Sequence, residues 1–121
     1  MDHVQEAHAA VDLVYRSDWG RIVATYDILL QAEPSPVIEL NRAAAIAMRD
    51  GPAAGLALVD ALFERGDLAD YQPAHAARAD LCRRLGRAGE ARESYRRALD
   101  LTQQGPARRF LERRLAELPP A

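Results

Sequence analysis

The sequence predicts an all-α fold: a short right-handed stack of about seven helices, three antiparallel pairs followed by a capping helix. Three observations carry that expectation. Alanine and leucine dominate while aromatics make up 6% of 121 residues, a balance that suits close-packed helices because strands favour branched and aromatic side chains. No run of alternating β-branched residues occurs. Apolar residues instead recur three and four apart, in segments punctuated by proline and glycine. Short connections between such segments bring neighbours back antiparallel. The whole chain, 1–121, reads as one domain, with pairs over about 2–102 and the cap over about 106–118.

Each element has its own signal. A first helix is expected from Asp2 to Tyr15. A second starts at Ser17-Asp18, with Asp18 as N-cap and Trp19 just inside, and carries Ile22, Val23, Tyr26, Leu29 and Leu30 at helical spacing. Pro34 and Pro36 stop it and start a third helix, about 36–49, because proline is accepted in a first turn and not inside. Gly51 suits a left-handed cap there, and Pro52 opens the fourth, about 52–64. After "RGDLADYQP" come a fifth over about 73–85, closed by Gly86, a sixth over 88–102, and a last with Phe110, Leu111, Leu115 and Leu118.

These pairs repeat. Gly51 and Gly86, each closing a first helix, lie 35 residues apart. A period near 34 residues with two helices per unit is the tetratricopeptide signature. The stretch "QPAHAARADLCRRLGRAGEARESYRRALDLTQQ" resembles that repeat at Ala79, Gly86, Ala91, Tyr95 and Ala98, with Gly55 taking a small position in another unit. In this register Trp19 falls in the turn between paired helices, where it either wedges them together or binds a partner.

Composition excludes several functions. One cysteine, Cys82, permits neither an intramolecular disulfide nor a cysteine zinc site. The longest apolar run, "AAAIAM", is far short of the ~20 residues a membrane span needs, and "MDHVQEAH" does not resemble a secretion signal. A reducing cytoplasm is the expected setting, with no membrane partner. Net charge is −2, split between residues 1–71 (five arginines, twelve acids, −7) and 72–121 (eleven arginines, six acids, +5). Either these charges are solvated faces with pairs such as Glu93/Arg97 and Arg113/Glu117, or the basic half meets an acidic partner. An overall acidic domain is poorly suited to gripping duplex DNA alone.

No catalytic or metal constellation is evident, and no enzyme activity or cofactor is expected. His3 and His8 fall on different helix faces, and His75 sits among alanines, where a structural hydrogen bond is expected. Cys82 lies on an apolar stripe; Arg78 and Arg83 are near enough in sequence to lower its pKa, but no base accompanies them.

The segments "DWGRIVATYDILL", "SPVIELNRAAAIAMRDGPAAGLALVDAL", "LADYQPAHAARADLCRRLGRAGEARESYRRALDLT" and "RRFLERRLAEL" follow one another in an order that resembles the C-terminal extension of one group of bacterial extracytoplasmic-function (ECF) sigma factors. There the two DNA-reading domains are followed by a helical, tetratricopeptide-like domain. The resemblance runs from about Gln5 to Leu118, and "LNRAAA" and "DGPAAGL" are not residues of the generic repeat. It departs in the helix before Asp18, which is shorter and less regular. The resemblance implies a regulatory domain that controls transcription initiation through protein contacts: with the sigma regions, the RNA polymerase core or a regulatory partner. It implies no sequence-specific DNA binding by this piece, which contains neither sigma region.

The alternative is a free-standing tetratricopeptide-like adaptor that holds a peptide in its concave groove. First helices line such a groove, which points to Asn41, Ala45, Met48 and Arg49 in one unit and Ala76, Asp80, Arg83 and Arg84 in the next. Asparagine and arginine there suit an acidic segment; solvated helix faces are the plainer reading. The first helix, with Val4, Val11 and Val14, is a second candidate surface, through which an isolated copy would dimerise.

Overall fold

The computed structural model describes residues 3–103 and 105–120, with side chains described from Asp18 onward. Among the described residues there are six helices and no strand: α1 (His3–Ala32), α2 (Pro36–Asp50), α3 (Pro52–Glu64), α4 (Gln72–Arg84), α5 (Ala88–Asp100) and α6 (Pro106–Glu117).

Six helices stand where about seven were expected, because the first two are one. α1 runs unbroken for 30 residues through Ser17, Asp18 and Trp19. Asp18 therefore caps nothing: it lies on the helix surface, exposed, with its carboxylate 4.0 Å from Arg21 one turn on. The physical reason is the absence of a breaker. Residues 3–32 hold no proline and only Gly20, which costs a helix interior about 1 kcal/mol without ending it. The side-chain cap occurs instead at Ser35, whose hydroxyl accepts from the Ile38 amide at 3.3 Å at the start of α2.

Elsewhere the punctuation holds. Pro36, Pro52, Pro73 and Pro106 all fall in the first turn of a helix, where no amide partner is missed. Gly51 ends α2 with φ 102° and ψ 162°, its amide donating to the Ala47 carbonyl at 2.9 Å. That φ suits glycine, but the ψ lies outside the left-handed helical well that was expected.

Each helix packs chiefly on its neighbours along the chain, and α2 additionally touches α4. α2 and α3 approach closely. At Gly55 an added Cβ would stand 2.5 Å from the Ala47 Cβ and 3.0 Å from the Ala43 carbonyl oxygen. Among the described residues two apolar clusters result. The larger runs from Leu40 and Val59 through Cys82 and Tyr95 to Leu111 and Leu118, and so joins α2 to α6. The smaller joins α1 to α2 through Val23, Ala45 and Ile46. Trp19, half-buried, packs on this second cluster with Tyr26, Ala54 and Leu58. It is not in a turn between two helices, since α1 has none there. Val4, Val11, Val14, His3 and His8 lie outside the residues whose side chains are described.

Candidate functional site

The α2–α4 contact leaves a cleft of about 130 Å³ on one side of the molecule, with Leu40, Ala44, Ala47, Val59, Ala77 and Leu81 as its apolar wall and Met48, Asp80 and Arg84 at its rim. Helical spacing explains the lining. Ala44 and Met48 are one turn apart on α2; Ala77, Asp80 and Arg84 follow one another by three and four on α4. Asn41, two turns before Met48, is exposed on the same arc of α2.

Arg84 bridges the two helices. Its Nη1 lies 3.9 Å from Met48 Sδ, and its Nε lies 3.0 Å from Asp80 Oδ2. The other oxygen of Asp80 accepts from Arg83 Nη2 at 2.6 Å. One carboxylate thus sits between two guanidiniums, Arg84 at the cleft and Arg83 behind it, and the three groups together carry one surplus positive charge. Arg83 turns away from this cleft toward a second one of about 210 Å³, shared with Gly86, Ala88, Glu117, Leu118 and Pro119. It faces the hydroxyl of Tyr95, whose ring is 2% exposed. Burial pushes the Tyr95 pKa up, and Arg83 opposes the shift.

The expected groove is therefore only partly assembled. Asn41, Met48, Asp80 and Arg84 share one face. Arg49 does not join them: its guanidinium pairs with Asp50 at 3.0–3.2 Å. Ala45 is buried in the α1–α2 cluster, and Ala76 packs against the main core. The arginines here have acids beside them, Asp50 for Arg49 and Asp80 for both Arg83 and Arg84, so one surplus charge remains beside Asp80. Asp80 stands at i−3 from Arg83 and i−4 from Arg84, a spacing visible in the sequence.

Charged networks elsewhere tie helices together. Arg78 on α4 donates from Nε to Asp60 at 2.7 Å, from Nη1 to Ser94 Oγ at 2.9 Å and from Nη2 to Glu90 at 3.0 Å. Arg65 grips both oxygens of Glu39, at 3.1 and 2.6 Å, and that hydrogen bonding holds the Glu39 carboxyl below its ordinary range. Arg42 reaches Asp27 at 2.7 Å. These partners lie 12 to 26 residues apart in sequence, so helical periodicity gave no sign of them. The expected Glu93/Arg97 and Arg113/Glu117 pairs do not form. Arg97 reaches Asp70, and Glu117 takes Arg114.

His75 Nε2 lies 2.7 Å from the Ala69 carbonyl oxygen, with its ring against Phe63. Cys82 is fully buried, and burial, outweighing the nearby Arg78, pushes its thiol pKa up. Among the described residues no group of three or more His, Cys, Asp or Glu could hold a metal ion, and no helix is long and apolar enough to cross a membrane.

An uncharacterized protein of Rhizobium meliloti (strain 1021) is similar to the chain, 39% identical over 111 residues. Those residues are 92% of this chain and 26% of that protein, so the chain spans about a quarter of the relative's length. No family model matches the chain, and no solved structure does.

Proposed function

We propose that this chain is the C-terminal regulatory domain of an ECF-type sigma factor, controlling transcription initiation through contacts with the sigma regions, the polymerase core or a regulatory partner. The observation that carries the proposal is where "LNRAAA" and "DGPAAGL" fall, the two segments most particular to the resemblance. Ala43 of the first and Gly55 of the second meet where α2 packs on α3, with Ala47 beside them, and Asn41 of the first stands on the arc of α2 that carries Met48. The segments thus specify one helix pair and one face of it. Two further features support the reading. α2 touches α4 as well as α3, which is compatible with helix pairs stacked on one another as a repeat reading expects. The relative's extra length leaves room for the domains a sigma factor requires.

The cleft is the proposed partner site. Its wall would take an apolar side chain and Arg84 an adjoining carboxylate, since a guanidinium fork binds carboxylate with two hydrogen bonds. The same cleft is what favours the second reading, a free-standing adaptor for an acidic peptide. The full reading frame and a binding assay separate them. The proposal expects sigma regions upstream in frame, and capture of core polymerase or of those regions by the chain. A frame without sigma regions, together with no such capture, overturns it in favour of the adaptor.

A further inference from the structure

The last helix carries a second surface. α6 turns Leu111 and Leu118 into the core, while Phe110, Arg113 and Glu117, spaced by three and four, form an exposed arc beside that face, with the half-buried Arg114 at its edge. Phe110 stands 47% exposed in this arc. The guanidinium carbon of Arg114 lies 5.3 Å from its ring centroid, and Arg114 Nη1 is 3.2 Å from Glu117. The side chains of Arg109 and Arg113 are exposed and make no hydrogen bond or ion pair with a described residue. Glu112 is taken by Arg108, so Arg109, Arg113 and Arg114 against Glu117 leave two surplus positive charges around an exposed aromatic ring, on a chain whose total is −2.

We propose that this face docks an acidic protein segment, one that sets an apolar side chain on Phe110 and carboxylates on Arg109 and Arg113. Aromatic and arginine side chains dominate the energetics of protein interfaces, and the ring–guanidinium stack pre-orients Arg114. A protein is favoured over nucleic acid because two arginines without a carboxylate partner offer few of the phosphate contacts on which nucleic-acid affinity rests, whereas an exposed aromatic ring beside arginines is the composition of a protein interface. The inference goes beyond the regulatory reading and does not depend on it, since an adaptor could use the same face.

The test is fluorescence anisotropy with the intact chain and a short labelled peptide of repeated Glu-Glu-Leu, beside a labelled single-stranded oligonucleotide. The peptide should bind, and Phe110→Ala and Arg113→Glu should each weaken it by about tenfold or more, a loss near 1.4 kcal/mol. Arg113→Lys, which keeps the charge without the fork, should weaken it less. Circular dichroism should show all three variants folded, because neither position is in the core. No peptide binding, equal binding by the parent and both disruptive variants, or tighter binding of the oligonucleotide would each overturn the proposal.

Discussion

Gly55 on α3 and Ala47 on α2 approach so closely that a Cβ on the glycine would stand 2.5 Å from the alanine's own Cβ. Neither partner has a flexible end to move aside, and the Ala43 carbonyl closes the other flank at 3.0 Å. Gly55→Ala should therefore push the pair apart and destabilise the chain by roughly 1–3 kcal/mol, the range of core overpacking. A urea midpoint unchanged by the substitution would place the two helices farther apart than described.

The continuity of α1 makes the opposite prediction for another glycine. Nothing lies within 4 Å of a Cβ added at Gly20, so Gly20→Ala should stabilise by about 0.5–1 kcal/mol through helix propensity alone. Ser35→Ala should cost about 0.5–2 kcal/mol as a lost cap, while Asp18→Ala should stay within about 0.5 kcal/mol. If Asp18→Ala proved the costlier of the two, α1 would break where the sequence first suggested.

That contrast shows what was legible. The boundaries of α2 to α6 could be read to within two residues because proline and glycine act locally, through φ and a missing donor. The Ser17-Asp18-Trp19 signal misled because a capping residue is a preference of about 1 kcal/mol, and one polar pair does not stop a helix whose far side packs on α2. The rim of the cleft was partly legible, since Asp80 and Arg84 are helix neighbours; that Arg83 turns to the other cleft was not. Arg49 was misplaced because a bond to the adjacent Asp50 is not a helix-face relationship. The Arg78 and Arg65 networks were invisible, because long-range ion pairs leave no periodic trace.

Trp19 contributes packing at the α1–α2 seam. A fully buried tryptophan truncated to alanine costs about 3–5 kcal/mol. Trp19 is only half-buried, so Trp19→Ala should cost roughly 2–3 kcal/mol by the same measure. Guanidinium unfolding would check this, and an unchanged midpoint would assign the ring to binding instead.

Cys82 gives a pH signature. Its folded-state pKa is raised above the ordinary value of 9.0, chiefly by burial. Keeping the thiol neutral thus contributes stability in full below pH 9.0, and that contribution is lost as pH rises toward the folded-state value. The stability difference between the parent and Cys82→Ala should be constant at neutral pH and shrink in alkali. A difference that stays constant into the alkaline range would contradict the buried thiol.

The central claim, a regulatory partner site at the α2–α4 cleft, is tested most directly by transcription in vitro. Holoenzyme would be reconstituted with the full reading frame bearing Arg84→Glu or Arg84→Lys. Arg84 is a rim residue paired to Asp80, so both variants should remain folded by circular dichroism. Arg84→Glu should change transcript yield by about tenfold, the equivalent of 1.4 kcal/mol of contact energy, with Arg84→Lys between it and the parent. Folded Arg84→Glu protein that transcribes as well as the parent would rule the cleft out as the partner site.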